Sequence, residues 1–380
     1  MTRNGFKYRD TRLTALVFTC YWLLSFFEGF ISGAIGAVSK YYLILLIVYL
    51  LFSAKKLVVN WKQITILVWT VYYSISLLWS PHPEQGGLYV NSVISMCALL
   101  ILFIGIPFTE RFVQSNLKWV ALSSFFLGVL GLFFSRPYLG HINSRMVLSL
   151  FGVQIDPNNM VGLYAYGVAL GLYYIFNPRI GKHIRLYYGI GTLINTYDIF
   201  MTGSRSGIIV LVVLYAVVFF FRFEEETKTL RLFKRIVLIA LAALAAYIVI
   251  RYMPRDALLR ITGQDANLSF SDSTGRMERW QMGLKIWWET NPVFGCGWGA
   301  FECHGTFFTF LVDTGIIGIM LLGSTIASIA VDCIRKRKLD GMLVFVAGII
   351  PSFFIGAQNK RLFWNALIVP IMILNTKKEK

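Results

Sequence analysis

Residues 13–35 read LTALVFTCYWLLSFFEGFISGAI, and the fold turns on that stretch. It carries a single charge, Glu28, and as a helix it is long enough to cross a hydrocarbon core about 30 Å thick. Arg3, Lys7, Arg9 and Arg12 precede it, as basic residues precede a cleaved signal peptide, and Ala34-Ile-Gly-Ala37 resembles a cleavage site. The apolar core of a signal peptide is only about 7–15 residues, shorter than this run. We read it as an uncleaved first span.

Working outward, further apolar runs lie near 41–54, 63–79, 88–107, 117–135, 159–176, 184–201, 206–222, 235–252, 305–331, 342–357 and 361–375. The 380 residues are 57% hydrophobic, 16% aromatic and 14% charged, with mean hydropathy +0.64. Soluble domains carry roughly 25% charge, so a water-soluble fold of this length would lack the polar surface to cover itself. The alternating ten-residue pattern of an outer-membrane barrel is absent. The expected fold is all-α: a polytopic integral membrane protein of about twelve transmembrane helices, forming one membrane domain over residues 1–380. The second and last spans are short and either is open to a re-entrant reading. Five cysteines are scattered without metal-ligand spacing. Cys296 and Cys303 share a polar loop and could pair if it faces an oxidising compartment.

Lys and Arg accumulate in cytoplasmic loops. With the amino terminus inside, the inner segments hold 24 of the 36 basic residues and none is left empty. Both termini are then cytoplasmic, and most of the net charge of +17 is a topology signal that anchors the chain to anionic lipid rather than to nucleic acid. The outward remainder is Lys40, Arg136, Arg145, Arg205, Arg251, Arg255, Arg260, Arg276, Arg279, Lys285, Lys360 and Arg361, nine of them arginine. A guanidinium fork grips phosphate bidentately where lysine offers a point charge. A phosphate-bearing ligand at the outer face is the simplest reason for that bias.

The largest segment between spans, 253–304, is the one larger extracytoplasmic loop. In it Arg276, Arg279, Trp280, Gly283 and Trp287 fall on one face of an amphipathic helix, which Asp272, Ser273 or Thr274 could cap and Asn291-Pro292 would stop. The face is either an interfacial one with snorkelling arginines or a grip for a lipid-linked phosphate with tryptophans for stacking. Gly295-Cys-Gly-Trp-Gly299 lacks the strand of a nucleotide fingerprint and reads as a tight turn that brings backbone close to a neighbour. His304, near neutral pKa, could take a proton from an attacking hydroxyl, with Glu302 or Asp313 to orient it or to cap the span. Thr202-Gly-Ser-Arg-Ser-Gly207 sets Arg205 at a helix start, with Asp198 as a plausible partner. Asp156-Pro-Asn-Asn159, in a loop with Arg136 and Arg145, also fits a plain turn and N-cap.

The set Asp156-Pro-Asn-Asn159, Thr202-Gly-Ser-Arg-Ser-Gly207, Gly275-Arg276, Trp280, Asn291-Pro-Val-Phe-Gly295, His304 and Asp313-Thr-Gly-Ile-Ile-Gly318 resembles the O-antigen ligase and polysaccharide-polymerase superfamily of bacterial envelopes over roughly residues 150–330. The chain departs at Gly305, where that family commonly has asparagine. The resemblance implies a GT-C-like, metal-independent, inverting glycosyltransferase of the inner membrane, needing no cofactor. Its partners would be an undecaprenyl-pyrophosphate-linked glycan, membrane lipid and a chain-length regulator. By position His304, Arg205 and Arg276 would be catalytic, with Arg279, Arg145, Arg136, Trp280, Asp156 and Asn158 as substrate-binding candidates. A repeat-unit polymerase is favoured over an O-antigen ligase, which hands the glycan to lipid A core. A transporter or flippase would instead show polar residues in mid-span and broken helices in matching halves.

Overall fold

The computed structural model describes residues 12–36, 38–53, 58–139, 145–221, 227–252, 259 and 275–377. Each apolar run is helical. In chain order the helices are α1 Arg12–Ile35, α2 Val38–Ser53, α3 Trp61–Ile75, the one-turn α4 Pro83–Gly87, α5 Val90–Gly105 and α6 Glu110–Phe134. They continue with α7 Pro157–Phe176, α8 Lys182–Met201, α9 Arg205–Phe220, α10 Lys228–Tyr252, α11 Arg276–Thr290, α12 Thr306–Arg335, α13 Leu339–Ser352 and α14 Arg361–Leu374. By length and composition α1, α6, α7 and α12 can each cross a membrane, while α2, α5, α9, α13 and α14 are apolar but shorter.

The core explains the short helices. Every residue of α14 from Arg361 to Ile373 is buried. An apolar surface all round a helix has to be enclosed by protein or lipid, and here α5, α12 and α13 enclose it. At 1.5 Å per residue α14 spans about 21 Å, less than the hydrocarbon thickness, and it is an internal strut. Helix α7 is the second strut, packed by α6, α8, α9 and α13. Trp22, Trp69 and Trp364 are fully buried between these layers. The Trp22 indole donates to Asn116 Oδ1 at 2.6 Å, and Trp364 donates to the Gln358 carbonyl at 2.9 Å, so neither ring leaves its N–H stranded.

The structure is mostly helical, as expected, and short strands join some of the helices. The connection from α6 to α7 is a small antiparallel sheet, β2 Ser135–Pro137, β3 Met146–Leu150 and β4 Val153–Gln154, and β1 Phe108–Thr109 pairs in parallel with β5 Thr376–Lys377. Phe151 and Gly152 turn β3 into β4 with φ of 53° and 75°, both positive as a type I′ turn requires. Strands this short leave no readable alternation in the sequence. The sheet has a consequence for the site: Tyr138 N donates to the Arg145 carbonyl at 2.7 Å, fixing the backbone of that arginine.

Helix α12 is broken at Gly315, whose φ of 62° and ψ of −164° only glycine adopts at ease. Breaking a helix strands backbone groups, and the glycine-rich segment fills the gap. Cys296 N donates to the Val312 carbonyl at 2.7 Å and Gly297 N to the Asp313 carbonyl at 3.0 Å, while Ile316 N donates to the Pro292 carbonyl at 3.0 Å. The close approach expected of Gly295-Cys-Gly-Trp-Gly299 is therefore present, and its neighbour is the kink in α12. A Cβ on Gly295 would strike the Asp313 carbonyl and the Gly315 nitrogen. Trp298 then stacks on Tyr73 at 4.0 Å and donates its backbone N–H to Ser76 Oγ, tying α3 into the same junction.

Candidate functional site

The N-termini of α7, α9, α12 and α14 meet at one end of the bundle, around a cavity of about 360 Å³ lined by Arg145, Asp156, Asn158, Asn159, Arg276, Glu302, His304 and Lys360 with the 354–356 backbone turn. The segment 156–159 is its hub. Asp156 caps α7, its Oδ1 accepting from Asn158 N at 2.8 Å and from Asn158 Nδ2 at 3.0 Å. Pro157 follows at the first helical position, where its missing N–H costs nothing. Asn158 Oδ1 accepts from Arg145 Nη2 at 3.2 Å and Ser204 Oγ at 2.7 Å, and Arg145 Nε donates to the Thr202 carbonyl at 2.8 Å. Asn159 Oδ1 accepts from Lys360 Nζ at 2.9 Å. Two motifs separated by some forty residues thus close on each other through one amide, which is more than a plain turn and cap.

The cations are held at different depths. Arg145 is 2% exposed, its guanidinium oriented by an amide and a carbonyl at the cavity wall. Lys360 is partly buried, and that burial lowers its pKa from the ordinary value, opposed by the carboxylates of Asp156, Glu302 and Glu28. Arg276 opens α11 at the mouth. Arg279, one turn on, is exposed, with Nη1 donating to the Glu302 carbonyl at 3.5 Å.

His304 sits just before α12 with φ of 52°, an uncommon conformation for a non-glycine residue and a strained one. Its Nδ1 is 3.6 Å from Glu302 Oε1. Burial lowers its pKa first, the guanidinium groups of Arg279 and Arg276 lower it further, and Glu302 opposes them. The imidazole is therefore held neutral near pH 7, the form that accepts a proton. The glycine at 305 has a steric cause: a Cβ there would stand 2.7 Å from the Phe353 carbonyl oxygen and 3.2 Å from Trp280 Nε1. Asparagine at that position would not fit.

Several expected roles change. Arg205 is the first residue of α9, beside the cavity but outside its lining. Asp198, offered as its partner, faces Gly128 and Gly131 of α6 instead. Asp313 does not orient His304; it accepts from Tyr73 Oη at 2.8 Å and from Gly299 N at 3.2 Å, securing the glycine-rich segment. Trp280 stacks on Phe308 at 4.7 Å and fastens α11 to α12. Arg136 is exposed on β2, away from the lining. The N-cap of α11 is Gly275, φ 59°, without a side-chain cap; Asp272, Ser273 and Thr274 lie outside the described residues, as do Arg255 and Arg260. Cys296 and Cys303 are free, buried thiols under α11 and are not paired. The expected stop at Asn291-Pro292 is where α11 ends.

Sequence reasoning passes over Lys360 and Asn159 as site residues. The signal is present in Gln358-Asn-Lys-Arg361, a polar run between two apolar helices that carries a lysine.

A helical membrane protein with a cation-lined cavity and a neutral histidine at its mouth is the class these features define. Residues 190–323 match the family model described as O-antigen ligase, which takes in Arg205, Arg276, His304 and Asp313. The resemblance to the O-antigen ligase and polymerase superfamily holds over that stretch. Arg145, the 156–159 hub and Lys360 lie beyond it. No curated protein matches the chain.

Proposed function

We propose that this chain is a glycosyltransferase of envelope polysaccharide synthesis, a repeat-unit polymerase that moves a glycan from undecaprenyl pyrophosphate onto the next lipid-linked repeat unit. The observation that carries the reading is the convergence of Arg145, Arg276 and Lys360 with His304 on one cavity. An acceptor hydroxyl attacks the anomeric carbon of the donor from the face opposite the leaving group. The new C–O bond forms as the bond to pyrophosphate breaks, and the electron pair leaves with the pyrophosphate. The hydroxyl proton passes to the neutral His304 imidazole, which Glu302 at 3.6 Å orients. One displacement inverts the anomeric centre. Arg145, Arg276 and Lys360, with Arg205 from the adjoining start of α9, stabilise the charge that develops on pyrophosphate. Such fixed cations do the work that a divalent metal does elsewhere, so the reaction is metal-independent. The cavity faces outward from the inner membrane, with both termini cytoplasmic.

The wording of the matched family supports a second reading, an O-antigen ligase with lipid A core as acceptor. Purified protein with lipid-linked donor, in EDTA, tests the class. Chain extension by the parent and a loss of about 100-fold or more in His304→Ala and Arg276→Ala are expected. Unchanged glycan length with the parent refutes the enzyme. Glycans of a deletion strain separate the branches: lipid-linked single repeats mean polymerase, while long lipid-linked chains that never reach lipid A mean ligase.

A further inference from the structure

Next to the cationic cavity lies a second opening of about 170 Å³, room for one sugar ring and little more. It shares Glu302, Gly356 and Lys360 with the first, so the two form one bent cleft. The chemistry changes across that boundary. Among the described residues no arginine lines the second opening; Gln85, Tyr89, Trp298, Gln358 and Asn359 do. Amides donate and accept, matching hydroxyls that do the same, and the Tyr89 ring, 40% exposed, offers a flat apolar face.

Gln358 makes the case specific. It is 9% exposed, yet its Oε1 has no hydrogen-bond partner among the described residues. Buried amide oxygens are almost always satisfied. A Cβ on Gly356 would come 2.9 Å from Glu302 Oε1 and 3.4 Å from Gln358 Oε1. The absence of a side chain at 356 therefore keeps a gap between two acceptor oxygens, where the cavities join.

We infer that this opening is a pyranose subsite, which seats one neutral sugar ring of the glycan beside the reacting bond and reads its hydroxyls through Gln358. The inference rests on the transferase reading above. The ring belongs either to the donor, next to the pyrophosphate, or to the end of the acceptor; the recognition chemistry is the same.

The test measures binding of two probes to full-length protein in detergent: undecaprenyl pyrophosphate alone, and the same lipid carrying the repeat unit. Gln358→Leu removes the amide, and Tyr89→Ala, at a residue that lines the second opening and not the first, removes the flat apolar face. Both variants should bind the glycan-bearing lipid about tenfold more weakly and the sugar-free lipid like the parent. In steady state, with lipid-free repeat-unit oligosaccharide as acceptor, a KM increase confined to the donor assigns the ring to the donor, and one confined to the acceptor assigns it there. Variants that bind both lipids like the parent and keep both KM values, or that lose both lipids in parallel, overturn the subsite. A parent that binds but never transfers glycan refutes the transferase reading instead, and the binding comparison still stands by itself.

Discussion

Gly315→Ala and Gly323→Ala make the same change in the same helix and should have opposite signs. At Gly315, φ is 62° and ψ is −164°, a region that costs a side-chain-bearing residue about 1–3 kcal/mol. A Cβ there would also strike the Val293 carbonyl and Gly295 nitrogen, backbone atoms that cannot swing away. Relieving the clash means withdrawing the 292–297 segment and giving up hydrogen bonds such as Cys296 N to Val312 O at 2.7 Å. The total comes to about 3 kcal/mol or more. At Gly323 the backbone is helical and a Cβ meets nothing within 4 Å, so alanine should stabilise by about 0.5–1 kcal/mol. Apparent thermal midpoints at one scan rate in detergent, with single-cysteine or tryptophan-quenching readouts of α11, report both. Gly315→Ala should melt well below the parent and loosen α11; Gly323→Ala should melt at or above it. Equal midpoints would mean that α12 has no functional break, and the account of the glycine-rich segment would fall with it.

His304→Ala should lower kcat by about 100-fold or more if the imidazole takes the proton. In the parent, the acid limb of the pH–rate profile should lie below the ordinary histidine range, because burial and two guanidinium groups disfavour the charged ring. Arg279→Ala should move that limb to higher pH and Glu302→Gln to lower pH; limbs that stay put would exclude His304 as the base. Asn158→Ala strips an acceptor from both Arg145 and Ser204 and should cost about 2–3 kcal/mol, read as a lower thermal midpoint together with a higher donor KM. Cys303 is buried with its thiol pushed up to about 12, and burial raises Cys296 as well. Neither should react with a maleimide at pH 8 until the protein is unfolded, so prompt labelling of the folded protein would contradict their placement.

The sequence is most legible where burial is decided by many residues at once. Every apolar run forms a helix, because a long stretch of consecutive apolar residues leaves the chain few alternatives. It is least legible where one residue's meaning depends on a distant one. Asp313 reads as a candidate to orient His304, and only the break at Gly315 shows that its carboxylate secures the glycine-rich segment. Trp280 reads as a ligand platform, yet its ring is spent on Phe308. Lys360 counts as an outward charge, but nothing local says that Asn159 will receive it.

The arginine bias illustrates both limits. It points to an anion, and Arg145 and Arg276 do line the cavity. Arg361 serves the fold instead. Wholly buried, it lies against Glu28 at 3.3 Å and donates to the Ser39 carbonyl, joining α14 to α1 and α2. A charge in that position would be costly alone, and the pairing with Glu28 explains why the first span tolerates its single acid. Charge counting by side of the membrane therefore separates ligand grips from structural ties only after the partners are known. At the cavity wall an amide and a carbonyl orient Arg145 and an amide orients Lys360, with the carboxylates of Asp156 and Glu302 in the same lining. Three cations against two carboxylates leave the lining net positive, which under the transferase reading suits a departing pyrophosphate.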